Sequence, residues 1–521
     1  MRVLPLLGFL GLLATACSDT PEQAVDSSES DLNTKMDEGC VHYALSPDAD
    51  HLVYGSCSLT SPATVFMNLQ TGAKVTSTST IERWGSGRLY VPFAEGVIFQ
   101  TVAGFEMFDW AGAKRAVASI PGRPLDDSPY TVIPIDGGAG LMAWRVEGSE
   151  SAWRLRTLVA SSGGATHAML SLPAPTAEPI RSIVAAPDGS HLLVVVGSAD
   201  AYRVPTKTAT APSLVARDVG DPIPSSYDGT SMLMSGRGAA HVESRYKLFH
   251  LDLTTQVAKP LSNAKVSVWR KDAGASEKGR ADQQRDFTTD HELPPDVLER
   301  GSKVYFGEND LEHGTYAVKA WNRATPAAAP VVLASESGYV KAPLDAPFHF
   351  TADGAYLVYM TAAPGYPPSA ARDVHAVRVD GSSPATLVGI TDGRASVAMG
   401  PAATIAFSAT WSSTLILADL AAGTTQAIST NAPRSTGHVM IAKDGSTIFN
   451  DAVWEDSVGK LNGATVFAGT PGPGMRSVYS GTGLFSGFND YTRDRVTVGA
   501  HDLFVVERTA VTRWRFERVR P

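Results

Sequence analysis

The feature that most constrains this chain is a short phrase that returns five times: a turn built on Asp, usually Asp-Gly, followed at once by an apolar run. It reads Ser46-Pro47-Asp48-Ala49-Asp50-His51-Leu52-Val53-Tyr54, then Ala186-Pro187-Asp188-Gly189-Ser190-His191-Leu192-Leu193-Val194. The later copies are Ser226-Tyr227-Asp228-Gly229-Thr230-Ser231-Met232, Thr351-Ala352-Asp353-Gly354-Ala355-Tyr356-Leu357 and Ala442-Lys443-Asp444-Gly445-Ser446-Thr447-Ile448. An Asp carboxylate can accept a bond from the backbone two residues on, and Gly takes the left-handed conformation such a turn needs. The phrase therefore predicts a tight turn feeding a strand. The runs that follow are apolar on both faces, as in strands packed between neighbouring sheets.

Weaker copies lie around Glu95-Gly96, Asp136-Gly137, Arg300-Gly301, Gly400-Pro401 and Ser480-Gly481. Together they give ten units, with turns at 48, 95, 136, 188, 228, 301, 353, 401, 444 and 481. Most steps are 37 to 52 residues; the long step from 228 to 301 contains the charged segment Lys271 to Arg285. That segment predicts an exposed insertion near 265–300, of mixed charge and few apolar residues. About 20 residues after several turns a second element recurs, as in Phe66-Met67-Asn68-Leu69-Gln70-Thr71-Gly72, Leu251-Asp252-Leu253-Thr254-Thr255 and Leu417-Ala418-Asp419-Leu420-Ala421-Ala422-Gly423. It reads as a hairpin between a third and a fourth strand. Four strands per ~40–50 residues is the blade of a β-propeller. The expected fold is all-β, about ten four-stranded units, closed as one large ring or two smaller ones. A hydrophobic content of 43 % with 19 % charged residues is enough to fill such a core.

The phrase S/A-P-D-G-x-x-L/I resembles the WD-like repeat of the Tol–Pal translocation propeller family, a repeat also found in the N-terminal propellers of prolyl oligopeptidase-like proteases. The resemblance spans residues 41–521 and is carried by the five full copies. It implies a propeller and a role at the cell envelope. It does not choose between binding and catalysis, because one fold hosts both. No α/β domain is recognisable ahead of the repeats, and this departs from the Tol protein itself.

The N-terminus points to export. Arg2 precedes a short apolar core from Val3 to Leu13, then Ala14-Thr15-Ala16 and Cys17. The core is too short to span a bilayer, which takes ~20 residues, and fits a signal peptide over 1–16. Leu13-Ala14-Thr15-Ala16-Cys17 resembles the bacterial lipobox, which implies cleavage before Cys17 and attachment of lipid to its thiol. Residues 17–40, rich in Asp and Glu, are expected as the lipidated Cys and a flexible acidic tether. Ser18 directly after Cys17 favours the outer over the inner membrane under the enterobacterial sorting rule.

Chemistry is hard to find. A hydrolase domain would show G-x-S-x-G, and Gly483-Leu484-Phe485-Ser486-Gly487 has the wrong spacing. Phosphate loops and Cys/His metal clusters are missing, so no cofactor and no metal are expected. A net charge of -9 argues against a nucleic-acid partner. The remaining thiols, Cys40 and Cys57, flank the first turn. Counting outward from Ser46 opposite His51, Leu45 faces Leu52 and Cys40 faces Cys57, so a disulfide is expected in an oxidising compartment. The reading is a lipid-anchored envelope propeller that binds a protein or glycan. The alternative is an envelope hydrolase or lyase with a site built from loops.

Overall fold

The structure is a computed structural model. It describes residues 33–520 except 49, 58–62, 78–89, 102–103, 120–129, 148–153, 162–163, 172–179, 197–198, 209, 238–246, 267–296, 311–312, 338–339, 342–347, 363–371, 392–396, 410–413, 430–438, 456–460, 471–473, 482–495, 500 and 511–512. Ten antiparallel blades follow one another along the chain. Blade 4 shows the plan: strands Ile180–Ala185, His191–Val196, Asp200–Pro205 and Ser213–Ala216 pair in sequence order. Blades 2, 3 and 5–9 occupy 90–119, 131–171, 219–260, 265–337, 340–391, 397–429 and 439–481. Helix is confined, among the described residues, to two three-residue 3₁₀ turns.

Each blade covers its apolar faces with its two neighbours, and the core is a set of clusters between blades. Val53, Phe66, Phe99 and Phe108 join blades 1 and 2; Ile98, Phe105, Leu141 and Leu158 join 2 and 3. Val195, Met232 and Met234 join 4 and 5, and Leu233, Val304 and Phe306 join 5 and 6. Similar clusters link 3 to 4, 6 to 7, 7 to 8, 8 to 9 and 9 to 10. The last cluster, Leu52 and Tyr54 with Phe504 and Phe516, joins blade 10 to blade 1. Two five-bladed rings would need blade 5 against blade 1. The observed order is a single ring of ten.

One strand closes that ring. Asn33–Leu45 serves two blades. Its first part, 33–40, pairs with Arg513–Val519 as the fourth strand of blade 10; its last residues pair with His51–Gly55 as the first strand of blade 1. Of the tether expected over 17–40, residues 33–40 lie in the fold instead, because they find backbone partners at the opposite end of the chain, and 17–32 lie outside the described residues. Tyr54 donates to the Asp37 carboxylate, and Lys74 Nζ reaches the same carboxylate at 2.6 Å and Met36 O at 2.8 Å. Burial pushes the Asp37 carboxyl up, but the bonds from Lys74 and Tyr54 outweigh it and hold the group below its ordinary value.

Two further expectations are corrected. The tenth turn is not Ser480-Gly481, which ends the fourth strand of blade 9, Gly474–Gly481. It lies between Val496–Val498 and Leu503–Ala510, where Gly499 N–H donates to Asp502 O at 2.7 Å. Blade 9 has long strands, of eight, ten and eight residues, so a step of ordinary length from Asp444 ends inside its own fourth strand. Around the first turn, Leu45 faces Leu52 as counted, but an irregularity between Cys40 and Tyr43 sets Cys40 opposite Gly55 rather than Cys57. The strand leaves one blade for the other at that point, and the two extra residues are taken up there.

Candidate functional face

Every blade sends its first-to-second turn, and every blade but the tenth its third-to-fourth turn, to one face of the ring. The second-to-third and blade-to-blade connections leave from the other. The first face is built from the repeated phrase. In all five copies the Asp Oδ1 accepts the backbone N–H two residues on: Asp48 from Asp50 at 3.1 Å, Asp188 from Ser190 at 2.9 Å, Asp228 from Thr230 at 2.8 Å, Asp353 from Ala355 at 2.9 Å and Asp444 from Ser446 at 3.0 Å. The next residue is left-handed at Gly189 (φ 65°), Gly229 (φ 94°), Gly354 (φ 65°) and Gly445 (φ 78°). All five carboxyls sit below their ordinary value. For Asp188 the first cause is the Ser190 backbone bond and for Asp353 the Thr351 hydroxyl. For Asp48, Asp228 and Asp444 burial pushes upward and the turn hydrogen bonds outweigh it.

Long polar side chains stitch these turns from blade to blade. Arg323 of blade 6 reaches Ser226 O at 2.8 Å, Asp228 at 3.2 Å and Glu299 at 3.1 Å. Arg300 of blade 6 donates to Gly354 O of blade 7. Lys443 of blade 9 reaches Asp50 of blade 1 at 2.5 Å, across the turn of blade 10. His191 Nε2 lies 2.5 Å from the Tyr227 hydroxyl, and Ser190 Oγ lies 2.8 Å from His191 Nδ1. Burial keeps His191 below and pushes Tyr227 up to about 12. These Asp, Arg, Lys and His groups are therefore occupied in holding turns and blades together. Sequence reading missed the contacts of Arg300, Arg323 and Lys443, because their partners lie 24 to 395 residues away.

The opposite face differs most at blades 6 and 7. Their first strands, at the centre of the ring, are each split. Blade 6 uses Lys265–Val266 and Val297–Arg300 against one partner strand, and blade 7 uses Val340–Lys341 and Phe348–Phe350. Most of the charged insertion, 267–296, lies outside the described residues and starts and ends on the split strand of blade 6. The signal peptide and Cys17 also lie outside them. No group of three His, Cys, Asp or Glu fit for a metal occurs among the described residues, and no described helix is long and apolar enough to cross a membrane.

No family model matches the chain, and no curated protein matches it. Among solved structures it is similar to an oligogalacturonate lyase in complex with manganese, at 11% identity over 76% of this chain and 96% of that one, with a TM-score of 0.28. It is also similar to a eukaryotic initiation factor, at 9% identity over 79% of this chain and 89% of that one, TM-score 0.40. A third is dipeptidyl peptidase 4 of Porphyromonas gingivalis, at 11% identity over 93% of this chain but only 65% of that one, TM-score 0.37. At these identities the likeness concerns the fold alone.

Proposed function

We propose that this chain is a lipid-anchored β-propeller of the cell envelope that binds a protein or glycan partner through the face opposite the Asp turns. The observation that carries the reading is the asymmetry of the ring. On the turn face the Asp, Arg and Lys groups named above are spent on turns and blade contacts, whereas the longest connections between blades, 78–89, 120–130 and 482–495, leave from the other face. Long connections on a rigid scaffold are where binding groups are usually placed. Lipidation of Cys17 after removal of 1–16 supplies the anchor, with the outer membrane as destination. Two or more acyl chains, at ~0.8 kcal/mol per buried methylene, hold a soluble body at a membrane.

Metabolic labelling with an alkyne fatty acid tests the anchor: label is expected on the wild type and lost in Cys17→Ala. Pull-down from envelope extract tests the partner, with capture expected to survive Asp228→Asn on the turn face. Turnover of envelope glycans or peptides by the purified protein would replace binding with the hydrolase or lyase reading. Deletion of the gene is expected to leave detergent resistance intact, in contrast to loss of a Tol component.

A Cys40–Cys57 disulfide belongs to the same proposal. Cys57 is not a free thiol, and Cys40 stands one strand away, two residues out of direct register. The bridge would secure the ring where the closing strand passes between blades. Peptide mapping without reductant is expected to show the linked pair; alkylation of both cysteines under those conditions refutes it.

A further inference from the structure

The seam between blades 6 and 7 holds a buried set of ionisable groups that neither the turns nor the partner face uses. His375, on Arg372–Arg378, is only 5% exposed. Its Nε2 lies 2.9 Å from Thr361 Oγ1 on the neighbouring strand Tyr356–Ala362. Its Nδ1 lies 3.6 Å from Glu336 Oε1, which comes from blade 6, on Val331–Ser337. Tyr359 donates to the same Oε1 at 2.8 Å and stacks on the imidazole, with ring centres 5.1 Å apart and planes within 10°. Arg372 and Asp373 precede His375 on its own strand, Leu387 pairs with it from the fourth strand, and Tyr316 of blade 6 lies 5.8 Å from Tyr359. Burial holds His375 below the ordinary histidine value of 6.5, against the pull of Glu336 and Asp373.

A neutral imidazole donates from one nitrogen and accepts at the other. With a carboxylate beyond Nδ1, the proton belongs there, and Nε2 accepts the Thr361 hydroxyl. A second proton makes Nε2 a donor. The Thr361 oxygen then accepts from Nε2–H, and its own O–H loses the acceptor it had. Thr361 is fully buried, and its backbone pairs with Lys341 in the split first strand of blade 7. We propose that this cluster is a pH-sensitive latch: neutral His375 holds the buried Thr361 hydroxyl and with it the strand Tyr356–Ala362, and its protonation loosens the pairing of that strand with Val340–Lys341 at the centre of the ring. The signs agree. A histidine whose folded value is lowered favours the neutral form, so its contribution is present above 6.5 and is lost as the pH falls through the folded value.

Hydrogen exchange on the full mature protein tests this at about pH 7 and about pH 5, with exchange times scaled to the intrinsic rates. Protection of peptides covering 340–341 and 356–362 is expected to fall several-fold at the lower pH, while blade 2 peptides over 96–101 and 104–109, which hold no histidine, stay unchanged. His375→Gln is expected to flatten the response. Glu336→Gln removes the charge that favours the imidazolium and is expected to move the transition to lower pH. An unaltered response in His375→Gln, or an equal loss in every blade, overturns the latch. Should His375→Gln fail to fold, an unmoved transition in Glu336→Gln overturns it equally. The test is independent of any anchor or partner.

Discussion

The seam between blades 4 and 5 and the seam between blades 6 and 7 solve one packing problem in two ways. The first is apolar: Val195, Ala201, Met232 and Met234 are fully buried and interlock, with the His191–Tyr227 pair at the turn face. The second is aromatic and ionisable, built on Tyr305, Tyr316 and Tyr359, with Glu336 and His375 inside it. Apolar packing is non-directional and indifferent to pH. A hydrogen-bonded cluster is specific only while each group keeps its protonation state. The ring is thus uniform in outline and uneven in its response to conditions.

The largest contrast is expected from the apolar seam. Met234→Ala removes a fully buried side chain and should cost about 2–5 kcal/mol by transfer and cavity terms. Denaturant unfolding at neutral and mildly acid pH should show the same loss at both. A cost that depends on pH across that range would erase the distinction between the seams.

The turn glycines sharpen the comparison. Gly229 in blade 5 is left-handed, with open space where a Cβ would stand. Gly354 in blade 7 is left-handed too, and a Cβ there collides with the Arg300 guanidinium. Gly229→Ala should cost about 1 kcal/mol for backbone strain alone. Gly354→Ala should cost roughly twice that, because Arg300 must also release Gly354 O. Equal losses in thermal unfolding would show that Arg300 contributes nothing to the seam.

A smaller effect is expected from Tyr359→Phe, which deletes the donor to Glu336 while keeping the ring on His375. The loss should be about 1 kcal/mol, accompanied by a shift in the pH response of blade 7 that no substitution in blade 5 reproduces. The smallest effect is spread over the turns. The Asp carboxyls are held below their ordinary 3.8 in the fold. Their contribution is therefore complete above that value and lost as the pH falls through the folded ones. Asp188→Asn should flatten the acid limb of stability by a few tenths of a kcal/mol, well below the histidine window.

Nine of the ten turns were legible because the information for each lies within five residues. Asp188, Gly189 and Ser190 bring their own hydrogen bond and their own backbone freedom, and any chain that folds at all forms them. The hairpin after Leu251-Asp252-Leu253 was legible for the same reason. The groups of the latch were not. Glu336 and His375 stand 39 residues apart on different blades, and nothing near either one announces the other.

The sequence by itself determined the blade: its turn, its four strands and its apolar faces, because these are set by contacts between residues close along the chain. Only the tertiary structure decided how many blades share one ring, that residues 33–40 complete the last of them, and that Cys40 meets Gly55. Those outcomes depend on which apolar face finds which. Ten similar faces carry no local mark of their neighbour, so ring size and closure are settled when the strand at one end of the chain finds its place beside Arg513–Val519 at the other.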